Sequence, residues 1–166
     1  MRGAVVGWQR RGQRHVGCEP LVGRLFCGRR LAEEEQFRGA LIADTTQSWQ
    51  VLETSHPPTY YLPRDSFVAG SLWPTSGASF CEWKGAARYL DVHGGGRTAA
   101  KAAWYYPNPS AGFGELRDHV ALYAGPMDAC LVDGEPVTPQ PGGFYGGWIT
   151  SAVAGPFKGV PGSMGW

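Results

Sequence analysis

Beyond residue 39 the hydrophobic positions fall in short runs, separated by Gly, Pro and polar turns. Residues 40–43 form one such run before the polar turn Asp44-Thr45-Thr46. Residues 49–53 alternate: Trp49, Val51 and Glu53 share one face, Gln50 and Leu52 the other, which is the period of a strand. His56-Pro57-Pro58 ends that strand, because proline removes ladder donors and restricts the residue before it. Extended structure resumes over 59–62, and Pro63-Arg64-Asp65 opens a short turn or helical piece. Two strands are predicted at 79–84 and 87–92, and Gly94-Gly95-Gly96 supplies a reversal into another at 99–106. One helix is predicted over 111–119, with Ser110 as its cap and Glu115 in its early turns, where the dipole favours an acid. A strand at 120–123 follows, then a hairpin of 129–132 and 135–137 around Asp133-Gly134, a two-residue turn of the primed type. No internal repeat or heptad is present. Short strands with a single helix predict a mainly β, compact two-sheet fold with one short helix.

Composition sharpens this into two parts. The 166 residues suffice for one ordinary domain, and 43% hydrophobic with 13% aromatic content is too apolar for a disordered chain. Residues 1–39 hold eight of the twelve Arg, and their Arg and Gly recur without a strand or helix period. They are expected to form a basic, loosely ordered arm, or to reflect a start assigned upstream of the natural one. Residues 40–166 are expected to form a single β domain with a Gly/Pro-rich C-terminal tail. That part carries seven Lys plus Arg against ten acids, so it lacks the basic footprint of a nucleic-acid binder. The arm alone has the charge to touch nucleic acid, anionic lipid or a protein partner.

Cys18, Cys27, Cys81 and Cys130 make no C-x-x-C pair, so no metal site is expected. The apolar run after Met1 is too short for a signal peptide, and no stretch is long enough to span a bilayer. A cytoplasmic protein with free thiols is the expectation, with no cofactor and no membrane contact.

Motifs for a P-loop, a nucleophile elbow and a zinc protease are absent. As a strand, Phe80-Cys81-Glu82-Trp83-Lys84-Gly85 would put Glu82 and Lys84 on one face, roughly 7 Å apart. Such a carboxylate–amine pair either binds a polar ligand, tunes proton transfer, or is a plain ion pair beside a core Cys and Trp. Cys81 as a nucleophile needs a base, for which His56 is the candidate. Glu53, ending an apolar strand, needs donors if buried, and Tyr60, Tyr61 or Lys84 can supply them. Trp83, Trp104, Tyr105, Tyr106, Tyr60 and Tyr61 either line an aromatic pocket for a flat or cationic ligand or simply pack the core. His93 and His119 show no metal-ligand spacing.

The runs ETSHPPTYYLP (53–63), FCEWKG (80–85), AARY (86–89), AWYYP (103–107) and DAC with VDGE (128–135) resemble, in order, a bacterial family of unknown function, DUF427. Some of its members carry a nucleotidyltransferase-like label. The tail GGFYGGW (142–148) is similar to actinobacterial-type members. The resemblance implies a small, tent-like β fold with function in a pocket between its sheets. It implies Glu53, His56, Tyr60, Tyr61, Cys81, Trp83, Lys84, Trp104 and Tyr106 as pocket candidates. Relatives of that shape hold zinc through paired C-x-x-C knuckles, which this chain lacks. The nucleotidyltransferase label calls for acidic pairs around Mg²⁺, and no Asp-x-Asp pair occurs. The expectation is a domain that binds a small molecule in an aromatic pocket. The alternatives are an enzyme using Lys84, Glu82, Glu53 or Cys81, and an interaction module using the basic arm.

Overall fold

The computed structural model describes residues 17–21, 25–29 and 40–163. One sheet has seven strands, in the order β1 (Gly17–Leu21), β4 (Ser48–Leu52), β5 (Thr59–Pro63), β9 (His119–Leu122), β8 (Arg97–Tyr105), β7 (Gly85–Gly94) and β6 (Leu72–Cys81). A second has four, in the order β11 (Glu135–Pro136), β10 (Ala129–Val132), β2 (Leu25–Arg29) and β3 (Ala40–Thr45). In the tail, β12 (Thr138–Pro139) pairs with β13 (Trp148–Ile149). Every ladder between these strands is antiparallel. The mainly β, two-sheet expectation therefore holds.

Alternation sorts the side chains onto two faces. Tyr60 and Leu62 of β5, Val120 and Leu122 of β9, and Leu90 and Val92 of β7 pack with Leu25, Cys27, Ile42, Ala43 and Cys130 of the smaller sheet. This is the main core, and it fills the space between the sheets. The intervening residues Tyr61, Ala121 and Trp104 point to the opposite face of the large sheet. There they form a second cluster with Val51, Ala87, Tyr106, Phe113 and Leu116. Close approach of the sheets depends on Gly94, where a Cβ would lie 2.3 Å from Ile42 Cδ1.

Both predicted turns form, for local reasons. Gly95 and Gly96 have φ of 59° and 71°, and Asp133 and Gly134 have φ of 50° and 79°, so each two-residue loop has the positive φ values of a primed turn. Two expectations are corrected. The strand expected at 79–84 stops at Cys81, which pairs with Gly85, leaving Glu82-Trp83-Lys84 as a three-residue loop. Gly85, at φ 97°, closes it. Glu82 and Lys84 therefore do not share a strand face. The helix expected at 111–119 is a 3-10 segment, Ala111–Leu116, broken at Phe113, with Gly112 and Gly114 weakening any longer helix; His119 already begins β9. Ser110 makes no side-chain cap; its hydroxyl donates to the Trp83 carbonyl. The arm expected at 1–39 contains β1, which pairs with β4, and β2, which lies between β10 and β3; its other residues lie outside those described.

Candidate functional site

The cluster on the outer face of the large sheet is built by β-alternation and carries four of the expected site residues, Tyr61, Trp104, Tyr106 and, at its margin, Cys81. Tyr61 is fully enclosed, its ring centroid 6.3 Å from those of both Trp104 and Tyr106. Burial holds the Tyr61 phenol well above its ordinary value, with Tyr106 adding to the push. Tyr106 is raised by the same cause, with Cys81 and Glu53 contributing. Neither phenol is set to exchange a proton near neutral pH.

At one end of this face Lys84 reaches from the β6–β7 loop to Glu53 at the end of β4, and the two form an ion pair. Lys84 is 5% exposed, which is rare for a lysine. The Glu53 carboxylate, at 26% exposed, compensates its charge. The Phe113 ring centroid lies 5.8 Å from the ammonium, within cation–π range. The Lys84 carbonyl accepts from the Ser110 amide at 3.2 Å, so one residue ties the hairpin loop to two other segments. Cys81 and Cys18 pack at the margin of the same cluster. Burial, with Glu115 nearby, pushes the Cys18 thiol up to about 11, away from a reactive thiolate.

The remaining candidates do not converge there. Tyr60 points into the core between the sheets, 5.3 Å from the Trp148 ring. Glu82 is exposed on the loop, and Trp83 is 40% exposed beside it. His56 follows the turn at Glu53, its amide donating to the Glu53 carbonyl at 3.1 Å, but its ring is turned to the tail. The ring Nδ1 is 2.9 Å from Gln140 Nε2, and Tyr145 packs edge-on at 4.5 Å. Burial lowers the imidazole pKa, opposed by Glu53 and helped by Lys158. Among the described residues no hydrogen bond joins His56 to Cys81, so the nucleophile–base pairing considered above is not assembled.

The run 53–63 instead seats the Gly/Pro-rich tail. The Trp148 amide donates to the Pro58 carbonyl at 2.8 Å, and the Lys158 amide to the Ser55 carbonyl at 2.9 Å. Gln140 is buried; its amide donates to the Lys158 carbonyl at 2.9 Å and accepts from the Gly147 amide at 3.2 Å. Two glycines allow the contact. A Cβ on Gly146 would stand 2.1 Å from Trp104 Cη2, and one on Gly147 would stand 2.5 Å from Pro57 Cγ.

Between the seated tail and the large sheet lies a cavity of about 490 Å³. Its walls include Tyr89 and Lys101 from the sheet, Tyr123 just after β9, and Tyr145, Gly146 and Gln140 from the tail. The Trp104 indole lies behind it, 4.5 Å from the Tyr123 ring and against Gly146. The Tyr123 hydroxyl donates to the Phe144 carbonyl at 3.2 Å, and burial pushes that phenol up to about 12. This cavity lies on the far side of the large sheet and not between the two sheets, where the main core packs. None of the expected binding residues is among those lining it, though Trp104 packs on Tyr123 and His56 on Tyr145 and Gln140. Tyr89, Lys101, Tyr123 and Tyr145 were not singled out. Tyr89 does fall inside the AARY run, while Lys101 carries no signal, because its placement depends on a bulge.

Among the described residues no group of three or more His, Cys, Asp or Glu is placed to hold a metal ion, and no helix is long and apolar enough to cross a membrane. The family model described as Domain of unknown function (DUF427) matches residues 34–133. No curated protein matches the chain. The matched span includes Glu53, Lys84, Trp104, Lys101 and Tyr123, and it ends before the tail that closes the cavity.

Proposed function

This chain belongs to the DUF427 family, and on that premise, which assigns no reaction, we propose that it binds a small planar molecule in the cleft between the outer face of the large sheet and the tail. The cleft itself carries this reading. Its volume of about 490 Å³ falls in the range of about 300–1,000 Å³ usual for small-molecule sites, and three tyrosines wall it. Bulges flank it on β6 and β8, a placement common next to binding sites. The Glu53–Lys84 pair ties down the loop between β6 and β7 and does not line the cleft. Both charges are already paired, and Glu82 is turned away, which disfavours catalysis by that group. Four free thiols suit a reducing compartment.

A thermal-shift screen of planar metabolites tests the proposal, with Tyr123→Ala as the control. A ligand that raises the melting temperature of the wild type and does so less for Tyr123→Ala supports it. Stabilisation by none of the planar compounds, or equal stabilisation of both proteins, counts against it.

A further inference from the structure

We propose that the cleft prefers an aromatic ligand bearing an anionic group, a carboxylate or a phosphate, and that Lys101 is the residue that recognises the charge; this rests on the cleft being a binding site at all. Among the described residues, Lys101 is the only charged side chain lining the cavity. The backbone delivers it there by an irregularity. Between β7 and β8 the register passes from Leu90↔Ala103 to Val92↔Ala99, so residues 100–102 bulge opposite Asp91. Lys101 takes φ 50°, a left-handed conformation unfavourable for a residue with a Cβ, and its amide is held by Asp91 Oδ1 at 2.7 Å. A bulge of this kind re-aims the side chain it carries.

On the other side of β7 a second bulge makes room for that side chain. The β6 register passes from Pro74↔Leu90 to Ala78↔Arg88, so residues 75–77 stand opposite Tyr89. Gly77, at φ 113°, has no side chain in the way: a Cβ there would lie 3.4 Å from Lys101 Nζ and 3.7 Å from Tyr89 Cδ2. The ammonium and the Tyr89 ring therefore both pack over Gly77, and both residues line the cavity. Among the described residues no carboxylate lies within ion-pair distance of it, and the Asp91 carboxylate faces the backbone amide instead.

Three other polar side chains of the wall are already engaged. Gln140 is taken up by His56, Lys158 and Gly147, the Tyr123 hydroxyl by Phe144, and the Tyr89 hydroxyl by Ser79 at 2.9 Å. A ligand entering the cleft meets aromatic surface on several sides and one unpaired cation. An acidic group gains a charge-assisted contact there, while a cationic ligand meets repulsion without a compensating acid.

The test uses matched probes on the full chain: 2-naphthoate against 2-naphthamide for the carboxylate, and 2-naphthyl phosphate against 2-naphthol for the phosphate, titrated calorimetrically at low and moderate salt. Wild type is expected to bind one or both anions at least tenfold more tightly than the neutral partner, with an advantage that shrinks as salt rises. Lys101→Met should remove that advantage, and Lys101→Arg should restore it. Which anion gains more identifies the source of the charge. Equal binding of anion and neutral partner by the wild type, or an anion affinity that Lys101→Met leaves intact, overturns the inference while leaving the cleft as a binding site. Failure of all four probes to bind at millimolar concentration overturns both. Should Lys101→Met not fold, the wild-type preference and its salt dependence decide alone.

Discussion

Replacing Gly146 with alanine tests the seat of the tail directly. The new Cβ would stand 2.1 Å from Trp104 Cη2, 2.8 Å from Cζ3 and 3.1 Å from Cζ2. Carbon atoms rest about 3.5–4.0 Å apart, so either the indole or the tail must shift by more than an ångström. The indole is enclosed, at 8% exposed, and is held by Tyr61 and Tyr123, so it has little freedom to give. Gly146 is not among the glycines with positive φ, so the cost is steric rather than conformational. Overpacking of this kind costs about 1–3 kcal/mol. For a chain of this size that lowers the melting temperature by about 2–12 °C. Urea unfolding should show a lower midpoint with an unchanged slope. Gly112→Ala is the control, because nothing lies within 4 Å of its Cβ position, and it should fall within about 0.5 kcal/mol of wild type. Trimming the indole in Trp104→Leu/Gly146→Ala should recover part of the loss, with a coupling of about 1 kcal/mol or more. A Gly146→Ala protein as stable as the control, or strict additivity with Trp104→Leu, would refute the packing described for the tail.

The Glu53–Lys84 pair should respond asymmetrically. Glu53→Ala leaves a buried ammonium uncompensated and should cost about 3–5 kcal/mol, whereas Lys84→Met leaves a carboxylate that already reaches water and should cost less; urea midpoints of both variants rank them, and the reverse order contradicts the assignment. His56 has a folded pKa below its ordinary 6.5, so its contribution to stability is complete above that value and is lost as pH falls toward the lowered one. The drop in unfolding midpoint between pH 7.5 and 5.5 should therefore be smaller in His56→Gln than in wild type, and an equal or larger drop would reverse the sign. Cys27 and Cys130 face each other across β2 and β10, both buried, with burial holding the Cys27 thiol well above its ordinary value. A thiol reagent at pH 8 should modify Cys81 first in the native protein, and Cys27 and Cys130 only in denaturant; rapid native labelling of Cys27 by peptide mass mapping would contradict their burial.

Local chemistry alone determined much of this protein. Asp133-Gly134 and Gly95-Gly96 sit where only a primed turn suits their neighbours, so both hairpins were legible. Alternation in residues 49–53 and 59–62 placed β4 and β5 to within a residue or two. The aromatic clustering around Tyr61, Trp104 and Tyr106 followed from residue type and period. What the sequence left undecided depends on partners distant along the chain. FCEWKG alternates like a strand, and only the pairing of Cys81 with Gly85 makes Glu82 to Lys84 a loop. Tyr60 and Tyr61 are equivalent as neighbouring aromatics until the smaller sheet covers one face and sends Tyr60 into the core. The strands within residues 1–39 lack a readable period because their order comes from pairing with β4, β3 and β10. Lys101 reaches the cleft through a register shift between two strands, and the cleft exists only because the run 53–63 binds a tail nearly a hundred residues later. Turns and alternation are written in neighbouring residues, whereas a cavity is a relation between surfaces, and it is decided only when those surfaces meet.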